Sequence, residues 1–151
     1  MGKLIELRTF NITDFNFIFE IFKNSIKTDY TDKELNTKIK NRLSNLAKCW
    51  IFEDNESRVG FIITNLIRHF AFKKPFLQID WLYLHENYIN NDTISHIQNH
   101  LAMTIKEHDL EKIVITESAI INPVLKKFMQ NQILIKPLDL IYSMEAEHGV
   151  S

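Results

Sequence analysis

The sequence predicts a mixed α/β (α+β) domain: a central, mostly antiparallel sheet of about six to seven strands flanked by about four helices. Three observations carry that expectation. Strand-like apolar runs at 48–54, 57–67 and 68–85 follow one another with only turn residues between them, as antiparallel neighbours do. Apolar residues recur three and four apart at 11–27, 31–47 and 91–109, the period of a helix face. The order strand, helix, strand across 68–85, 91–109 and 111–118 marks a parallel crossover.

Each element has its own reason. Residues 3–10, KLIELRTF, read as a first strand. In 11–27, Phe15, Ile18, Phe19, Phe22 and Ile26 form one helical face, and Thr13 or Asp14 suits the cap. Residues 31–47 give a more polar second helix with Leu35, Ile39, Leu43 and Leu46 in step, and Thr31 with Glu34 makes a capping box. Two strands, 48–54 and 57–67, meet at the turn Asp54-Asn55-Glu56. The next stretch extends the second of them, turns at Lys73-Lys74-Pro75 and runs as a third strand to Leu84. Ile94, Ile97, Leu101 and Ile105 set the helix of 91–109, with Asn91 or Asp92 as its N-cap. After the buried strand of 111–118, Asn122 and Pro123 start a helix over 122–132. Strands at 133–135 and 138–146 close the chain on either side of Pro137.

The totals narrow the function. With 151 residues and no repeat or linker, one domain over 1–151 is expected. A net charge of −1 disfavours nucleic-acid binding driven by phosphate neutralisation. Cys49 is the single cysteine, which suits a reducing compartment. With no signal peptide and no apolar run long enough for a bilayer, a cytoplasmic protein without a membrane partner is expected. His96 and His100 share a helix face, but no third ligand accompanies them, so no metal is expected. The first helix has surplus apolar residues, Phe17 and Ile21, that would suit a second copy of the chain as a homodimer.

The order of elements resembles the GNAT superfamily of N-acetyltransferases over nearly the whole chain. Val59-Gly60-Phe61 is similar to a common Val-Gly-Phe signature of the family's third strand. The run from Leu82 to Tyr88 is similar to the family's Leu-x-Val-x-Pro-x-Tyr, with Asn87 and its neighbours replacing the proline stretch. Asn122 followed by Phe128 is similar to the Asn-x-x-Ala-x-x-Phe-Tyr stretch near the family's C-terminus. The resemblance implies a GNAT-like sheet and acetyl-CoA, or another acyl-CoA, as cofactor. The family's cofactor loop, Gln/Arg-x-x-Gly-x-Gly/Ala, falls on Ile89-Asn90-Asn91-Asp92-Thr93-Ile94. Such a loop offers backbone N–H groups to a pyrophosphate at a helix N-terminus. Both glycines are missing here. Asn90 and Asn91 tolerate tight backbone geometry, whereas an Asp92 that capped the helix would occupy the phosphate's place.

Acetyl transfer to an amine needs a base, a donor for the developing oxyanion and a proton for the leaving thiolate. Asp80, a carboxylate inside the apolar run FLQIDWLYL, is the candidate base. Gln78 and Trp81 would shape the acceptor pocket. The resemblance implies that backbone N–H groups around Leu82, Tyr83 and Leu84 hold the thioester, and that Asn90, Asn91, Asp92, Thr93 and Ile94 hold the pyrophosphate. Asn122 belongs to the same cofactor side. The family's tyrosine acid falls at Met129, which cannot donate a proton, and Tyr142 and Tyr88 are the phenols left to consider. Two functions follow. One is an acyl-CoA-dependent N-acetyltransferase that moves an acetyl group to an amine of a small molecule or a protein. The other is a non-catalytic GNAT-fold binding or regulatory protein that has lost acetyl-CoA binding.

Overall fold

The computed structural model describes residues 5–44, 48–115 and 117–131. Among them, five strands form one sheet in chain order: β1 (Glu6–Thr9), β2 (Lys48–Asp54), β3 (Ser57–Ile67), β4 (Phe76–Leu84) and β5 (Ile113–Ile115). β1 to β4 are antiparallel, and β5 runs parallel to β4. Four helices accompany the sheet: α1 (Phe15–Ser25), α2 (Asp32–Ser44), α3 (Asn91–Glu107) and α4 (Pro123–Asn131). The mixed, mostly antiparallel class is therefore observed, with five strands rather than six or seven among the described residues. The strands expected at 133–135 and 138–146 lie outside the described residues.

The sheet separates two apolar layers. Phe52, Ile62, Leu77, Ile79, Leu82 and Leu84 pack with Ile94, Ile97 and Leu101 of α3 and with Leu125 and Met129 of α4. On the other face, Cys49, Ile51, Phe61 and Ile63 pack with Phe15, Ile18 and Phe22 of α1 and with Ile39 of α2. Strand alternation explains the division, because neighbouring residues of β2 point to opposite faces. Each large side chain fully buried here contributes on the order of 1.5–3 kcal/mol.

Two local expectations change and one holds. β3 stops at Ile67, and residues 68–75 form a loop in which the Phe72 amide bonds the His69 carbonyl. Pro75 has no N–H to continue a ladder there. The entry to α1 is a 3-10 turn, Ile12–Asp14, capped by Asn11 rather than by Thr13 or Asp14. The Asp14 carboxylate instead accepts the Asn11 amide at 2.7 Å and pairs with Arg8 and Arg58, each at 2.7 Å. The Thr31–Glu34 capping box forms as the sequence suggests, with both reciprocal bonds at 3.2 Å.

Gly60 on β3 pairs with Leu84 of β4. A Cβ there would lie 2.4 Å from the Tyr83 carbonyl oxygen and 2.8 Å from the Phe52 ring. The close approach of these backbones requires glycine.

Candidate functional site

A bulge in β4 organises the site. Ile63 pairs with Trp81 and Thr64 with Ile79, so Asp80 has no partner in the ladder. The extra residue reverses the alternation along β4. Leu77 and Ile79 face α3 before it, and Leu82 and Leu84 face α3 after it. Asp80 and Trp81, although consecutive, both meet groups of the α1–α2 layer. One register slip thus delivers a carboxylate and an indole to the same side of the sheet.

Asp80 is nearly covered, with its side chain 6% exposed, and it has two partners. One oxygen accepts the Gln78 amide at 2.8 Å, and the other pairs with the guanidinium of Arg42 from α2. Arg42 lies over the Trp81 ring at 5.8 Å, and Trp81 meets Phe22 edge to face at 5.0 Å. The Arg42 Nε is enclosed without a hydrogen-bond partner among the described residues. Asp80, Gln78 and Trp81 are thus brought together. Arg42, 38 residues away in sequence, is the member that the sequence reading missed. Its signal was its place between Ile39 and Leu43, on the inner edge of the α2 apolar stripe.

The segment after β4 is tied down by its own side chains. His85 caps the 3-10 turn Glu86–Tyr88. The Tyr88 hydroxyl donates to Asp54 at 2.7 Å, and this bond, followed by burial, pushes the phenol's pKa up. The N-cap of α3 is Asn90, not Asn91 or Asp92. Its backbone is extended, at φ −149° and ψ 171°, and its side-chain oxygen accepts the Thr93 amide at 2.9 Å. Asp92 is exposed in the first turn of α3, where a carboxylate suits the positive end of the helix dipole. Asn91 is exposed as well, and Thr93 and Ile94 are buried under the helix.

β4 and β5 pair over Leu77–Ile79 and Ile113–Ile115. Beyond the bulge the chain after β5 passes through a 3-10 turn, Glu117–Ala119, and returns to β4. Leu82 pairs with Ile120, and the Ile121 amide bonds the Leu82 carbonyl at 2.9 Å. The Asn122 side-chain amide donates to the Leu84 carbonyl at 2.8 Å, while its Oδ1 is enclosed without a partner among the described residues. The backbone carbonyls of Leu82 and Leu84 point to this segment, and the backbone groups of Tyr83, which pairs with Phe61, point to β3. The Tyr83 amide therefore belongs to the sheet. Met129 is buried in the core, and Tyr142 lies outside the described residues.

No family model matches the chain, and no curated protein matches it either. Solved structures do. A ribosomal-protein-alanine N-acetyltransferase from Brucella melitensis biovar Abortus is 14% identical with a TM-score of 0.65, over 85% of this chain and 88% of that one. A predicted acetyltransferase from Clostridium acetobutylicum, solved with acetyl-CoA, is 22% identical with a TM-score of 0.60, over 83% and 88%. A GNAT family acetyltransferase from Staphylococcus aureus is 11% identical with a TM-score of 0.61, over 76% and 87%. The fold is that of the GNAT acetyltransferases.

The residues present can be tested against the GNAT cofactor. The first glycine of the loop is replaced by Asp92, a negative charge, and the second small residue by Ile94, a core side chain. The Thr93 amide, one of the donors a pyrophosphate would use, is taken by Asn90. Positive-φ residues other than glycine occur at Asn55, Glu56 and Asp109, none of them in this loop. Residues 85–94 include no Lys or Arg. Where the pantetheine arm needs an open strand edge, the Leu82 and Leu84 carbonyls are already bonded to Ile121 and Asn122. The Asn122 Oδ1 beside them lacks a partner among the described residues but is enclosed. Acetyl-CoA does not fit this arrangement.

Among the described residues no group of three or more His, Cys, Asp or Glu could hold a metal. No described helix is long and apolar enough to cross a membrane.

Proposed function

We propose that this chain is a GNAT-fold binding or regulatory protein that has lost acetyl-CoA binding at the family's cleft. The observation that carries this reading is the Ile121 amide on the Leu82 carbonyl, a backbone bond across the gap that the cofactor would enter. The α3 N-terminus agrees with it, because Asn90 and Asp92 satisfy that end of the helix from within the chain. Arg42 agrees too. It places beside Asp80 and Trp81 the cation that an amine acceptor would otherwise bring.

Thermal unfolding with acetyl-CoA, free CoA and ATP tests the reading. A ligand at 100 times its dissociation constant adds about 2.7 kcal/mol, which raises Tm by roughly 5–10 °C in a domain of this size. No rise is expected at millimolar acetyl-CoA. A rise with acetyl-CoA and CoA but not with ATP would overturn the reading.

The bulge and the orphaned Asn122 Oδ1 favour a second reading, an acyl-CoA-dependent N-acetyltransferase. In it the 117–122 segment leaves β4, Arg42 swings away, and Asp80 takes the proton of a small-molecule or protein amine. That reading requires the CoA-dependent rise in Tm together with acetylation of an amine that Asp80→Asn abolishes.

A further inference from the structure

The α3 face of the sheet carries a groove apart from the Asp80–Arg42 cluster on the opposite face. The first half of α3 is packed down through Ile94, Ile97 and Leu101. Its second half stands over two adjoining cavities of about 370 and 510 Å³, which share Lys48, Trp50, Thr104 and His108. The facing positions are small: Thr64 on β3 and Thr104 on α3 are both buried, where large apolar side chains would close the space. Each hydroxyl donates to a nearby carbonyl, Thr64 to Lys48 and Thr104 to His100, so the pair costs little to bury.

The lining is amphipathic. Trp50, Leu66 and Leu77 supply an apolar wall. Lys48 and Arg68 sit at the rim of the first cavity, both exposed, and neither makes an ion pair among the described residues. His100 meets the Trp50 ring edge to face at 5.3 Å, and its Nε2 is enclosed with no partner among the described residues. Burial, then the neighbouring His96, lowers its pKa, with Glu107 opposing them, so the ring is neutral at pH 7. A neutral imidazole with a free nitrogen beside an apolar wall is a polar group still lacking its partner. Glu107 lines the second cavity and not the first, whereas Arg68 lines only the first and Lys48 lines both, so the first cavity is the one that suits a negative head group.

We propose that this groove binds a small carboxylic acid with an apolar body. The carboxylate meets Lys48 and Arg68, and the apolar part lies along Trp50 and Leu77 beneath α3. This proposal does not depend on whether the cleft beside β4 takes a cofactor.

The test is an NMR titration of the two tryptophan indole signals with octanoate, 1-octanol and octylamine, the signals being assigned with Trp81→Phe. Octanoate should shift the Trp50 signal and leave Trp81 in place, with an affinity at least tenfold above that of octanol, and octylamine should have no effect. In the Lys48→Gln/Arg68→Gln protein the affinity for octanoate should fall to that of octanol. Thr104→Leu fills the groove and should weaken both ligands. The proposal is overturned if millimolar octanoate leaves Trp50 unmoved, if octylamine acts as octanoate does, if the Lys48→Gln/Arg68→Gln protein still prefers octanoate to octanol tenfold, or if Thr104→Leu leaves both affinities unchanged.

Discussion

Two aspartates with covered side chains, Asp14 and Asp80, are both held by arginine, yet their surroundings differ. Asp14 is wholly covered and meets Arg8, Arg58 and the Asn11 amide, so its carboxylate is saturated by donors. Glu53 also pairs with Arg8 at 2.7 Å, which spreads the cluster across β1 and β2. Asp80 has only Gln78 and Arg42, and the Arg42 Nε is left without a partner. A saturated cluster locks the entry of α1 onto the sheet. An unsaturated one, on a bulge, leaves a polar cluster with a hydrogen-bonding group still unpartnered among the described residues.

Removing Asp14 is the largest way to break that contrast. Asp14→Ala takes away one acceptor from two guanidinium groups and the local cap. The arginines remain about a third exposed, which softens the loss. A cost of about 2–4 kcal/mol is expected, measured as a shift of the urea midpoint at unchanged slope. Asp80→Asn keeps the Gln78 contact and loses only the charge attraction to a partly exposed Arg42, so the same measurement should read about 1 kcal/mol or less. Equal losses at the two positions would erase the distinction between a structural and a site carboxylate.

The acid limb sharpens the comparison. Burial alone would raise the Asp14 pKa, but hydrogen bonds from Arg8, Arg58 and the Asn11 amide outweigh it and hold the group well below the usual carboxylate range. A depressed folded pKa adds stability that is complete above the unfolded value, about 3.9, and is lost as pH falls toward the folded one. The native protein should therefore lose stability below about pH 4.5 more steeply than Asp14→Asn, as followed by urea unfolding at stepped pH. The smallest effect is at Cys49. Burial, then the Asp14 charge, pushes its thiol up to about 12, so iodoacetamide at pH 8 should modify the folded protein far more slowly than the unfolded one.

Much of the fold was legible before the structure. Apolar period placed α1, α2 and α3, the Asn122-Pro123 start signal placed α4, turn residues separated β2 from β3, and the Thr31–Glu34 box forms as the sequence suggests. The α3 cap was misplaced by one or two residues, since Asn90, Asn91 and Asp92 are all good cap formers and only the extended backbone at Asn90 selects among them. Of the site, Gln78, Asp80 and Trp81 were legible as a polar and aromatic interruption of an apolar strand. Arg42 was not, because an ion pair spanning 38 residues leaves no local pattern.

By itself the sequence determined which segments become helix or strand, and that the 89–94 loop lacks the glycines of a phosphate site, because periodicity and residue type are local properties. Tertiary structure alone decided three other matters: that Gly60 lies against the Tyr83 carbonyl, that Asp80 falls on a bulge facing Arg42, and that Ile121 closes the edge of β4. Each depends on how two distant backbones register, and register follows from the packing of the whole sheet rather than from any one segment.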